Sequence, residues 1–131
     1  MIQSLPALIT CLALLMYVAL ALNVGRARGK YKISAPAIIG DPNFERIFRV
    51  QQNTLEHLIV FIPSLWLFSV SVSAAWGSGI GVVWILARIW YAVEYSREGG
   101  NRGPGFGLSF AAAAILLLGA IAGTVAGMLR G

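Results

Sequence analysis

The stretch Arg49 to Phe61, RVQQNTLEHLIVF, carries an arginine, glutamines, an asparagine and a glutamate to the mouth of a hydrophobic run. At 100° per residue, Arg49, Asn53 and Glu56 fall within about 60° of one another on a helix, with Gln52 at their flank. A second stripe lies in WILARIWYAVEYS, where Arg88, Tyr91 and Tyr95 stand at i, i+3 and i+7 with Trp84 on the same side. An ionisable group inside an apolar span costs about 3 kcal/mol and normally faces a partner or a wet cavity. Two chemistries fit. Glu56 and Arg88 could neutralise each other and tie two helices together. Alternatively, Arg28, Arg49, Gln52, Asn53, Tyr91, Tyr95 and Arg102, gathered at one end, exceed the needs of one ion pair and would hold a small, multiply charged ligand.

The elements that must position these groups are membrane spans. Of 131 residues 58% are hydrophobic and 11% charged, and the apolar residues come in runs too long for a soluble core helix. Four segments, about 5–24, 53–74, 79–97 and 105–129, each supply the ~20 residues that cross ~30 Å of hydrocarbon. Helices are required because lipid offers the backbone no hydrogen-bond partner. The expected fold is therefore all-α, a four-helix membrane bundle forming one domain over residues 1–131. The first span has no basic region before it, exceeds a signal-peptide core in length and lacks a clear cleavage site, so it reads as part of the mature protein. With Arg49 and Tyr95 near the same end, Glu56 and Arg88 each lie seven residues, about 10 Å, deeper.

The connections set an orientation. Arg26, Arg28, Lys30, Lys32, Arg46 and Arg49 lie between spans one and two, and Arg97 and Arg102 between three and four, whereas the middle turn, AAWGSG, is uncharged. Positive charge marks the cytoplasmic side, which puts both termini outside and both polar stripes in the cytoplasmic half. The net charge of +5 then reflects topology and attraction to anionic lipid, and nucleic acid is not an expected partner. Cys11 reads as a packed thiol, and as the single cysteine it excludes an intrachain disulfide. His57 has no second ligand at metal spacing on its helix, so no metal is expected.

The segment DPNFERIFRVQQNTLEH resembles the hallmark of the membrane-associated proteins in eicosanoid and glutathione metabolism, with its Glu-Arg pair followed by Arg49, Asn53 and Glu56 at the family's spacing. ARIWYAVEYSREGGNRGPGF is similar to that family's third helix and following turn, with Arg88, Tyr91, Tyr95 and Arg102 in register, and Arg28 falls where its leukotriene-synthase branch has a glutathione-contacting arginine. The likeness covers almost the whole chain.

The resemblance implies a homotrimer of four-helix subunits that binds glutathione as co-substrate between neighbours, near the cytoplasmic face. Carried over by position, Arg49, Asn53, Glu56 and Tyr91 would hold the tripeptide, with Arg28, Gln51 and Tyr95 as further contacts and Arg88 as a structural ion pair or site support. Arg102 would be catalytic, beside the sulfur. The chemistry agrees, because glutathione offers two carboxylates for arginine forks and an ammonium for Glu56, while Asn and Tyr satisfy its amides. Its thiol, with an ordinary pKa of about 8.5, needs a cation or a helix N-terminus to ionise at neutral pH. Arg102 supplies the first. Pro104, placed as a first-turn proline, puts the second beside it. Arg97 competes for the same task, with a positive-inside anchor as its alternative role.

The expected activity is a glutathione-dependent membrane transferase or peroxidase acting on a lipophilic electrophile or hydroperoxide that enters from lipid, with Trp66, Trp84 and Trp90 as candidate walls. The alternative is a non-enzymatic lipid-binding scaffold of the same family. A small transporter built on Glu56 and Arg88 is disfavoured by the lack of repeats and broken helices. Gly119, Gly123 and Gly127 allow close helix contact, within or between subunits, and Pro63 is expected to bend the second span. The tail ending Leu-Arg-Gly carries no endoplasmic-reticulum retrieval signal, which points to a bacterial inner membrane.

Overall fold

The structure is a computed structural model that describes residues 3–97, 100–101 and 103–131. The chain forms four helices, α1 (Ser4–Tyr31), α2 (Pro42–Ser71), α3 (Ala74–Ser96) and α4 (Gly103–Arg130). All four are long and apolar enough to cross a membrane.

Capping residues set the helix ends, and hydropathy does not register them. α1 runs on to Tyr31, where Lys32 adopts a left-handed conformation (φ 57°) and its N–H closes on the carbonyl of Arg28. α2 starts at Pro42, well before the apolar run at 53, because Asp41 caps it by accepting from the N–H groups of Asn43 and Phe44 at 2.8 and 3.4 Å. The AAWGSG stretch is not a turn. It opens α3, capped by Ser73, whose hydroxyl accepts from Trp76 N at 3.1 Å, so the chain reverses within residues 72–73. At α4 the side chain of Asn101 accepts from Gly103 N at 2.9 Å, and Pro104 occupies the first turn as expected. α2 passes through Pro63 as one continuous helix.

α2 and α3 form the centre of the bundle. Each packs on the other and on both α1 and α4, while α1 and α4 do not touch among the described residues. The main core joins all four helices around Phe61 and Trp84, whose rings stack 4.0 Å apart at 4°. A second apolar cluster of Val24, Ala27, Ile33, Phe44 and Ile47 closes the end that carries the charged connections. Gly119 and Gly123 serve the fold within one chain, since a Cβ there would sit 2.5 Å from the Phe68 ring and 2.8 Å from the Ser71 carbonyl respectively. Gly127 has only Arg130 near it. Gly105 brings α4 against α3, where a Cβ would meet Tyr91 N at 2.5 Å.

The outer surface is hydrophobic. Leu15 (65% exposed), Leu22, Ile59, Leu86 and Leu118 face outward from the four helices, the inverse of a soluble bundle. Cys11 belongs to this surface. It is exposed rather than packed, because α1 buries only the face that meets α2 and α3, namely Pro6, Ile9, Ala13, Val24 and Ala27.

Candidate functional site

Arg88 is fully buried in mid-helix. Its guanidinium donates to Asn53 Oδ1 at 2.7 Å and Thr54 Oγ1 at 2.9 Å on α2, and to Ser109 Oγ at 3.2 Å on α4. It also lies 4.4 Å from the Tyr91 ring centre and 5.9 Å from that of Trp84. Three helices are thus joined by one donor-only side chain whose acceptors are all neutral. Glu56 does not pair with it: among the described residues the one ion pair joins Arg97 to Glu94 at 2.6 Å, and Glu56 is exposed on α2. Arg88 therefore supports the bundle by hydrogen bonds and ring contact, and the pairing with Glu56 is not formed.

From Arg88 the aromatic contacts lead outward. Tyr91, itself buried, stacks on Tyr95 at 5.6 Å, and Tyr95 lines a groove of ≈ 740 Å³ at the charged end with Arg46, Arg49, Gln52, Glu45 and Ile39. Arg49 is exposed there and makes no hydrogen bond or ion pair with any described residue. Two turns beyond Arg49 on α2, Glu56 and His57 stand at a second groove of ≈ 420 Å³ between α2 and α4, otherwise lined by Val60, Phe110, Ala113, Ala114 and Leu117. His57 meets Phe106 edge-on at 5.2 Å. Arg49 and Tyr95 thus line the ionic groove and Glu56 the apolar one, with Asn53 between Arg49 and Glu56 on the same strip of α2 and Tyr91 buried behind Tyr95.

Other expected site residues lie elsewhere. Arg28 donates to the carbonyls of Ile33 at 3.3 Å and Ala37 at 2.7 Å and lies over the Phe44 ring, so it fastens the α1–α2 connection. Gln51 turns to α1, where its amide donates to the Tyr17 hydroxyl at 2.6 Å. Arg102 lies outside the described residues. Of the tryptophans, Trp84 is a core residue, Trp66 donates to Thr10 Oγ1 at 2.9 Å across the α1–α2 seam, and Trp90 is 47% exposed on the outer face. None of them lines the two grooves at the strip.

Thr54, Ser109 and the connection residues Ile38 and Ile39 were not singled out from sequence. A cue existed for the hydroxyls: an arginine inside a span must find acceptors, and Thr54 and Ser109 sit in neighbouring spans at its depth. The connection offered none, since Ile38 and Ile39 reach the groove only through the Arg28 clamp and the early start of α2.

The chain matches the model of the MAPEG family over residues 6–122. It is 47% identical over 116 residues to an uncharacterized protein of Synechocystis sp., covering 88% of this chain and 85% of that one. Human microsomal glutathione S-transferase 2 is 43% identical over 102 residues, 77% of this chain and 69% of the human protein. Leukotriene C4 synthase of Cavia porcellus is 33% identical over 95 residues, 72% of this chain and 63% of the synthase. Four apolar helices in one bundle and a family match across nearly the whole sequence agree, and the chain belongs to the MAPEG family of integral membrane proteins.

Proposed function

We propose that the protein is a glutathione-dependent membrane transferase, with peroxide reduction as a second use of the same thiolate, acting as a homotrimer. Its relatives include proteins named as microsomal glutathione transferases. The observation that carries the reading is that Arg49 and Glu56 stand exposed and unpaired among the described residues while the buried Arg88 commits both terminal nitrogens to neutral acceptors. Charges of both signs on one strip suit a zwitterionic peptide. Arg49 takes a carboxylate, Glu56 the ammonium, Asn53 an amide or carboxylate oxygen, and Tyr95, braced from behind by Tyr91, the wall of the groove.

Arg102 acts on the sulfur. α4 begins at Gly103, the next residue in sequence, so a cation at that helix end adds to its partial positive charge and favours thiolate over thiol. Arg97 is engaged by Glu94 instead. The thiolate forms a new bond to the electrophilic carbon as the leaving group departs. The lipophilic partner lies along the α2–α4 groove, whose apolar lining opens on the outer surface. A neighbouring subunit covers the exposed strip and presents Arg28 and Gln51 from its own α1–α2 seam. The glutathione site faces the cytoplasm and both termini lie outside.

Purified protein in mild detergent with glutathione and chlorodinitrobenzene tests this. Release of chloride with formation of the thioether above the uncatalysed rate, together with saturable glutathione binding, is expected. Binding without turnover would identify the scaffold alternative.

A further inference from the structure

Arginine donates hydrogen bonds and accepts none, so its contacts fix the orientation of every group it touches. The Asn53 atom 2.7 Å from Arg88 is therefore the amide oxygen, whatever the symmetry of the side chain would otherwise allow. The same logic runs through the network. Ser109, an acceptor from Arg88, turns its own proton to the Phe106 carbonyl at 3.0 Å. Asn53 is left with its N–H2, which meets no acceptor among the described residues although the side chain is only half-buried.

We infer that Arg88 is a positioning residue that locks Asn53 as an obligate hydrogen-bond donor, so that the strip between Arg49 and Glu56 selects a ligand oxygen, a carboxylate or peptide carbonyl, and rejects a ligand N–H there. The inference rests on the glutathione reading above and specifies the direction of one contact in that site. Arg88 sets α3 by the same means. Its guanidinium lies against Tyr91, and Tyr91 against Tyr95, which lines the ionic groove. Lysine cannot replace it, since one ammonium lacks the planar fork that reaches Asn53, Thr54 and Ser109 together.

Asn53→Asp separates this role from a merely structural one. The carboxylate accepts from Arg88 as the amide does, and gives the buried cation a partner of opposite charge, so the thermal midpoint should be unchanged or raised. The N–H2 is gone, and glutathione affinity should fall at least tenfold. Asn53→Ala removes both functions and should lower the midpoint and the affinity together. Glutathione binding by calorimetry and melting in detergent, on wild type and both variants, give the result. Stability retained with binding lost in Asn53→Asp supports the assignment. Affinity within twofold of wild type in Asn53→Asp overturns it while leaving the transferase reading intact, and a wild type that binds no glutathione overturns both.

Discussion

A cation beside a sulfur and a cation in a bundle core have opposite requirements, and Arg102 and Arg88 divide them. Arg88 needs every acceptor that Asn53, Thr54 and Ser109 provide, because a guanidinium in hydrocarbon without them costs several kcal/mol. Arg102, in its proposed role, must leave its charge for the thiolate. Arg102→Ala should therefore keep glutathione affinity within about twofold while turnover falls by about tenfold for each 1.4 kcal/mol of lost stabilisation. The bound thiol pKa rises in that variant, so the thiolate fraction at neutral pH falls and raising the pH should recover part of the rate. Arg97→Ala, which removes only a surface pair with Glu94, should change little. A pH–rate profile and the ultraviolet absorbance of the thiolate check both variants, and an effect of Arg97→Ala larger than that of Arg102→Ala would reassign the sulfur contact. At this scale the sequence was legible where helical period alone decides the face, as for Arg49, Asn53 and Glu56. It was not legible for Arg28 and Gln51, whose side chains turn to Ala37 and Tyr17 according to which helix lies alongside.

Among the elements, the α3–α4 contact depends on Gly105. A methyl group there would come within 2.5 Å of the Tyr91 backbone nitrogen, which cannot move without disturbing the stack on Tyr95. Gly105→Ala should destabilise the protein by about 1–3 kcal/mol, the range for overpacking, and weaken ligand binding with it. Gly107→Ala, with open space around the new methyl, should be neutral or stabilising by up to about 1 kcal/mol from helix propensity. Melting of both variants in the same detergent distinguishes them. The four spans followed from length and hydropathy, since nothing else satisfies a backbone in lipid. The early start of α2 and the helical AAWGSG stretch did not, because one capping carboxylate at Asp41 and one hydroxyl at Ser73 decide them.

For the whole molecule, the exposed Arg49 and Glu56 form a charged strip on α2, and the proposed trimer buries it. Cross-linking and native mass measurement in mild detergent should find three copies, and finding monomers alone would count against the arrangement. The bundle also bears on how the chain enters a membrane. α3 carries the fully buried Arg88 at its middle. On its own it should partition poorly through a translocon, at a penalty of about 3 kcal/mol for the arginine. Asn53 and Thr54 lie on α2, made earlier and joined to α3 by residues 72–73 alone. α2 and α3 should thus insert as a hairpin that delivers the cation already solvated by its neighbour. Glycosylation mapping should show α3 inserting efficiently behind α2, inefficiently alone, and efficiently alone once Arg88→Leu removes the charge.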